Sequence, residues 1–230
     1  MSDSKMDSSA RIAALVPMRH NSERVPRKNY RDFAGEPLYT RIIDTLETCS
    51  CIDIVVVDTD SPIIKEGLQE NFPKVKVIDR PEDLQDGKTP MNDVLLHDVD
   101  VVEAEVYLQT HSTNPLLKSK TITEAVEKFL SRYPEYDTLF SVTRLQTRLW
   151  DELARPVNHN PNILLRTQDL PPTYEENSCI YLFTRDTLVE GHNRIGDRPY
   201  LFEIDEAEAI DIDEEIDFRI AEVMYQQEVR

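Results

Sequence analysis

The sequence predicts an α/β protein, a three-layer αβα sandwich with a mostly parallel sheet between two layers of helices. Three observations carry that prediction. Apolar runs of strand length alternate with helix-like stretches through the first 140 residues, the order that successive βαβ units produce. The run IDIVVVDT (Ile52–Thr59) is apolar on both of its alternating faces, as suits a strand covered above and below. A Ser-Pro and a Thr-Pro pair head two of the helical stretches, where a hydroxyl caps and proline enters the first turn.

The elements follow in order. RIAALVP (Arg11–Pro17) is the first strand. A helix follows from Pro37, with Leu38, Ile42, Ile43 and Leu46 on one face. After Ile52–Thr59, Ser61-Pro62 opens a helix containing Ile63, Ile64 and Leu68. KVKVID (Lys74–Asp79) is a short strand, and Thr89-Pro90 repeats the cap-and-proline device before a helix through Val94, Leu95 and Val99. AEVYLQT (Ala104–Thr110), a helix over Thr121–Arg132 and the strand DTLFSVTRL (Asp137–Leu145) complete the alternation. The pattern breaks between about 146 and 178, a stretch rich in Pro, Asn and Arg. So long an irregular segment in a compact domain implies a use, as a binding arm, a lid or an oligomer contact. CIYLF (Cys179–Phe183) and YLFEI (Tyr200–Ile204) resume the sheet, and a last helix starts near Asp213 and runs through Ile216, Ile220 and Val223.

The 230 residues suit a frayed tail over 1–10 and one domain over 11–230. A formal charge of −18 argues against a nucleic-acid or anionic-membrane partner, and no run has the length of a membrane span. The start, MSDSKMDSSA, lacks the apolar stretch of a secretory signal. Three cysteines offer no disulfide framework and fit a reducing, cytoplasmic setting.

Against this acidity stands one basic loop. MRHNSERVPRKNYR (Met18–Arg31) follows the first strand and holds Arg19, Arg24, Arg27, Lys28 and Arg31 against the single acid Glu23. A positive loop at the carboxyl end of a buried strand is where open α/β sheets take phosphorylated ligands. Asn21, Ser22 and Asn29 add neutral donors. No glycine lies between Met18 and Tyr30, so neither a Walker loop nor a dinucleotide fingerprint is present, and side chains must grip the phosphates. Near the other end, Asp211 and Asp213 flank Ile212; in an extended chain both carboxylates share a face and could hold Mg²⁺. The same acids, with Glu214 and Glu215, would equally serve a helix N-terminus. Asp58-Thr59-Asp60 is a second such pair, at a strand end. The cationic loop and the acidic pair together suggest phosphoryl chemistry with a divalent ion.

These residues resemble the cytidylyltransferases that activate sialic acids (the acylneuraminate cytidylyltransferase family) and the related octulosonate enzymes. The family's loop A-R-x-x-S-K/x-G/R-x-P-x-K-N is similar to Met18–Asn29. Its S-T-D corresponds to Asp58-Thr59-Asp60, and its Q-x-T-S-P-L to His111–Leu116. Its R-x-Q-D and Y-E-N-G/S correspond to Arg166–Asp169 and Glu176-Asn177-Ser178, and its D-I-D to Asp211–Asp213. The resemblance implies a Rossmann-like fold of the nucleotide-diphospho-sugar transferase type and transfer of CMP from CTP to the anomeric hydroxyl of a 2-keto-3-deoxy sugar acid. It implies Arg19, Ser22, Arg24, Lys28 and Asn29 at the nucleotide, with Arg80 near its base. Arg19, Lys28 and Asp211 would be central to catalysis, and Asp211 and Asp213 would hold Mg²⁺. It also implies a homodimer in which segment 146–178 reaches the neighbouring subunit and offers Arg148, Arg166 and Gln168 to its sugar site, with Leu149 and Trp150 packing the contact. His111, which replaces the family's glutamine, is either a base, a hydrogen-bond partner of the sugar or structural.

The departures Glu23, Thr167 and His111 fall at ligand positions and leave the sugar open among N-acetylneuraminate, legionaminate, pseudaminate, a deaminated nonulosonate and an octulosonate. Other readings of the chain are a D-x-D glycosyltransferase and a non-catalytic nucleotide- or sugar-binding module.

Overall fold

The structure, a computed structural model, describes Met6 and residues 9–228. Most of the expected tail therefore lies outside the described residues. The elements are β1 (Ile12–Leu15), β2 (Asp32–Phe33), β3 (Glu36–Pro37), α1 (Leu38–Glu47), β4 (Ile54–Thr59), α2 (Pro62–Asn71), β5 (Lys76–Asp79), α3 (Met91–Val101), β6 (Val106–Gln109), α4 (Ser119–Arg132), β7 (Thr138–Leu145), β8 (Thr173–Phe183), α5 (Arg185–Gly191), β9 (Pro199–Glu203) and α6 (Glu215–Glu228).

Seven strands form one sheet in the order β5-β4-β1-β6-β8-β7-β9. β8 runs antiparallel to both its neighbours, and the other pairings are parallel. Alternation along β1 sends Ile12 and Ala14 to one face, and Ala13 and Leu15 to the other. The first face is covered by Ile42, Ile43 and Leu46 of α1, Ile64 and Leu68 of α2, and Val126 and Phe129 of α4. The second is covered by Leu95 and Val99 of α3 and Leu188 of α5. These are the three expected layers. The chain runs outward through β1, β4 and β5, then returns to place β6 on the other side of β1. That reversal leaves a crevice at the carboxyl ends of β1 and β6.

Ser61 caps α2 as expected, its hydroxyl accepting from the Ile64 amide at 3.3 Å. Two expectations need correction, and two gain detail. Thr89 does not cap α3: Pro90 stands at the cap position with no side-chain cap, and the helix starts at Met91. The irregular segment ends earlier, because Thr173–Ser178 already belongs to β8 and pairs with β7. Asp211 and Asp213 lie in a loop outside any strand, and the Ile212 amide between them bonds the Thr113 carbonyl at 3.0 Å. The last helix starts at Glu215, and its buried face is Phe218 and Ala221, while Ile216, Ile220 and Val223 are exposed. Phe218 and Ala221 pack with Val25, Phe33, Leu38 and Ile212, so one small cluster joins the basic loop, the acidic loop and α6.

Candidate active site

That small cluster positions the site, because it clamps the basic loop of β1 against the acidic loop before α6. Arg31 completes the clamp: its guanidinium makes two bonds to Glu215 at 2.7 and 2.8 Å and sits 4.2 Å over the Phe218 ring. The bond to Glu215 raises the Arg31 pKa, and the same bond lowers that of Glu215. Arg27 takes a left-handed backbone (φ 61°) that turns the chain into Lys28–Tyr30. Of the five loop cations, Arg19, Arg24 and Lys28 line the cleft, whereas Arg27 and Arg31 serve the loop's own geometry.

The cleft has a volume of about 460 Å³. Arg19, Ser22, Arg24, Lys28, Asn29, Arg80, His111, Asp211 and Asp213 all line it, though they come from four chain segments. Arg24 pairs with Asp213 at 2.5 Å, and Lys28 Nζ donates to the Ile212 carbonyl at 2.5 Å with Asp213 3.9 Å away. Burial lowers the Lys28 pKa, opposed by Asp211 and Asp213. Asn29 is buried, and both ends of its amide are used within the protein. Nδ2 donates to the Arg19 carbonyl at 2.7 Å, and Oδ1 accepts from Ser112 Oγ at 2.8 Å. Its polar atoms therefore set the shape of the loop.

Asp211 is the unbalanced group. Its Oδ1 is buried without a hydrogen-bond partner. Burial raises its pKa and Asp213 adds to the effect, while a hydrogen bond from Thr113 and the charges of Lys28 and Arg24 oppose it. A carboxylate oxygen held dry beside a second carboxylate suits a hard divalent cation with oxygen ligands, so the Asp211–Asp213 pair fits Mg²⁺.

His111 follows β6 and is half-buried. Burial, then Arg194 and Lys28, push its pKa down to about 3, which keeps the imidazole neutral near pH 7. Its Nε2 lies 2.9 Å from Gln109 Nε2, and Gln109 Oε1 accepts from Arg194 at 2.6 Å. The Arg194 guanidinium is 3.6 Å from the centroid of the Tyr181 ring, and Tyr181 bonds Glu176. Sequence reasoning missed Arg194; it stands in a turn, GHNRIGDR, where neither spacing nor periodicity sets it apart.

Ser178, also in the cleft wall, has φ 60° at an irregularity in the β7–β8 pairing. Bulges of this kind re-aim side chains. The Asn177 amide accepts from Ser141 Oγ at 2.6 Å and donates to Thr143 Oγ1 at 3.0 Å, fixing the irregularity.

Arg148, Arg166 and Gln168 are not brought into the cleft. Arg148 bonds the Leu165 carbonyl, Arg166 makes two bonds to Asp169 at 2.7 and 3.0 Å, and Gln168 is exposed. Their segment also exposes Trp150, Leu153, Val157, Ile163 and Leu164. Asp58 makes no part of the cleft wall; it bonds Arg80 from behind.

Known proteins supply the family. The profile of the Cytidylyltransferase family matches residues 13–229. N-acylneuraminate cytidylyltransferase A of Danio rerio is 30% identical over 227 residues, which are 95% of this chain and 51% of that protein. Pseudaminic acid cytidylyltransferase of Campylobacter jejuni is 25% identical over 92% of this chain and 94% of its own length. CMP-N,N'-diacetyllegionaminic acid synthase of Legionella pneumophila is 29% identical over 92% of this chain and 95% of its own length. The chain thus spans about half the length of the Danio relative and nearly all of the two bacterial ones. Among solved structures, a CMP:2-keto-3-deoxy-manno-octonic acid synthetase complexed with CTP superposes with a TM-score of 0.70 at 14% identity, over 95% of this chain and 100% of that one. A 4-diphosphocytidyl-2C-methyl-D-erythritol synthase gives 0.68 at 14% identity, over 94% and 100%. At such identities these two likenesses speak for the fold. The profile spans nearly the whole chain, and the chain belongs to the cytidylyltransferase family.

Proposed function

We propose that this chain transfers CMP from CTP to the anomeric hydroxyl of a sialic-acid-like nine-carbon 2-keto-3-deoxy sugar acid, releasing pyrophosphate. The observation that carries this reading is the single cleft in which Arg19, Arg24 and Lys28 face Asp211 and Asp213. The names of the Danio, Campylobacter and Legionella relatives support the choice of nucleotide and of a nonulosonic acid.

In the reaction the anomeric oxygen attacks the α-phosphorus, the bond to the bridging oxygen of the β-phosphate breaks, and pyrophosphate leaves with that electron pair. The hydroxyl proton passes to solvent. Arg19, Arg24 and Lys28 neutralise the triphosphate and the charge that grows on the leaving group. Ser22 offers a hydroxyl to the phosphates, Asn29 holds the loop that carries them, and Arg80 stands on the base side of the cleft. Asp211 and Asp213 would hold Mg²⁺, which when bound would orient the triphosphate and acidify the attacking hydroxyl. Arg24 now covers Asp213, so nucleotide binding would draw Arg24 toward phosphate and free the carboxylate. His111 is a neutral hydrogen-bonding group on the sugar side, and its low basicity suits positioning better than proton abstraction.

The exposed apolar side chains of segment 146–172 favour a homodimer in which Leu149 and Trp150 pack the contact. Arg148, Arg166 and Gln168 would then reach the sugar site of the neighbour, where an arginine can grip the carboxylate with two bonds. No helix among the described residues is long and apolar enough to cross a membrane; the use of CTP and the free cysteines Cys49, Cys51 and Cys179 favour the cytoplasm. The test is binding of each nucleoside triphosphate in turn, followed by ³¹P NMR of the reaction with a nine-carbon sugar acid. CTP-selective binding and a new CMP-phosphodiester resonance support the reading; equal binding of all four nucleotides with no phosphodiester contradicts it.

A further inference from the structure

Behind the cleft wall lies a buried charge cluster that the reaction scheme does not use. Asp58, at the end of β4, and Asp98, on α3, are each 1% exposed, and Arg80, just beyond β5, is 5% exposed. Arg80 Nε bonds Asp58 Oδ1, while Asp58 Oδ2 and both carboxyl oxygens of Asp98 are buried without a hydrogen-bond partner. His97, a quarter exposed, places Nδ1 3.6 Å from Asp98 and 3.8 Å from Asp58, beyond hydrogen-bonding distance. Asp58 stands where the resembled S-T-D motif has serine.

A buried ion pair holds only if its remaining lone pairs are satisfied. With both acids ionised, two carboxylates face one guanidinium in a dry pocket. With one proton between them, the cluster is neutral and the facing oxygens are satisfied together. Asp58, His97 and Asp98 have potential ligand atoms within 4.8 Å of one another, so a metal ion is the rival occupant. A dication there would stand beside the Arg80 guanidinium and leave a net positive charge buried. The proton is the occupant the charges favour.

We propose that Asp98 is a positioning residue: its neutral carboxyl donates to Asp58 Oδ2, and the carboxyl–carboxylate pair fixes the Arg80 guanidinium at the wall of the nucleotide cleft. Burial, then the charge of Asp58 and the proposed carboxyl–carboxylate bond, hold the Asp98 carboxyl up to about 9, with Arg80 opposing. The groups facing it are Asp58 on β4, Arg80 after β5 and His97 on its own helix. Because the folded value lies above the unfolded one, near 4, this contribution to stability is full below that value and is lost as pH rises toward 9. Ionised Asp98 would compete with the cleft for Arg80, so nucleotide affinity should decline in the same alkaline range. The functional part of the proposal rests on the reading that CTP occupies this cleft.

The test compares Asp98→Asn, which keeps a donor to Asp58, with Asp98→Ala, which keeps none. In wild-type protein at neutral pH in heavy water, infrared spectroscopy should detect the C=O stretch of a protonated carboxyl that is absent from Asp98→Asn. KM for CTP should rise by about tenfold in Asp98→Ala with kcat changed much less, and stay within about threefold of wild type in Asp98→Asn. Wild-type KM should climb toward pH 9, and that climb should be missing from Asp98→Asn. Absence of the infrared band overturns the proposal. So does a KM as poor in Asp98→Asn as in Asp98→Ala, or a stoichiometric metal that wild type holds and Asp98→Asn lacks. The infrared and metal measurements need neither substrate nor the alanine variant, so they decide the pair even if CTP is never turned over.

Discussion

Replacing Asp211 by Asn should weaken the reaction while leaving the metal-free protein at least as stable. The substitution preserves shape and removes a charge from an oxygen that is buried, unpaired and next to Asp213. Removing a charge that burial disfavours should raise stability by about 1 kcal/mol, or roughly 2–4 °C in Tm for a protein of this size. The Asp211 pKa is raised above its unfolded value, so wild-type stability falls as pH climbs through the interval between them. Asp211→Asn lacks that decline. Turnover should move the other way, by about 100-fold, with the residual rate needing more Mg²⁺. Thermal unfolding in EDTA, with and without a pH series, gives the first quantity, and pyrophosphate release across a Mg²⁺ titration gives the second. An unchanged Mg²⁺ titration together with a lowered Tm would refute the reasoning and leave Asp211 a structural residue of its loop.

Four further outcomes are expected. Arg19→Ala should lower turnover with CTP by at least about tenfold, the scale of a lost transition-state charge contact; near-normal turnover in steady-state kinetics removes Arg19 from the mechanism. His111→Gln should leave the shape of the pH–rate profile unchanged, because the folded imidazole stays neutral down to about pH 3. By the same shift, wild-type stability should decline as pH falls below the unfolded histidine value, since only the unfolded chain takes up that proton; an acid limb of activity near 6.5 that vanishes in the variant would contradict this. Asn29→Ala leaves the Arg19 carbonyl and the Ser112 hydroxyl without partners and should cost about 1–3 kcal/mol in denaturant unfolding; a change below measurement error would mean the loop is held elsewhere. Trp150→Asp should shift the protein toward monomer in sedimentation, and an unchanged mass would move the subunit contact away from segment 146–172.

The parts of the fold set by local pattern were legible in the sequence. Continuous apolar runs gave β1 and β4, and the Ser61 hydroxyl gave the start of α2. Thr89 looks the same as Ser61 in sequence, but its hydroxyl does not cap the helix, and only the path of the chain over the cleft distinguishes the two. In α6 the visible stripe, Ile216, Ile220 and Val223, faces outward. The helix instead buries Phe218 and Ala221 because those meet Val25 and Ile212 of the two loops. That is tertiary geometry, which periodicity does not carry.

The cleft residues were found because charge stands out in an acidic chain, as Arg19, Arg24 and Lys28 do. The same count included Arg27 and Arg31, whose work is structural, since composition does not reveal direction. Arg194 and Asp98 escaped for the opposite reason. Each is a common surface residue type in an ordinary context, and only folding brings Arg194 beside Gln109 and Tyr181, and Asp98 beside Asp58.

The most direct test is pyrophosphate release from the purified protein with CTP, Mg²⁺ and a panel of eight- and nine-carbon keto-sugar acids, run with and without EDTA. Release that requires CTP, the metal and one nine-carbon acid is the predicted result, and it would name the substrate. A folded protein that neither binds CTP nor releases pyrophosphate with any member of the panel would contradict the account.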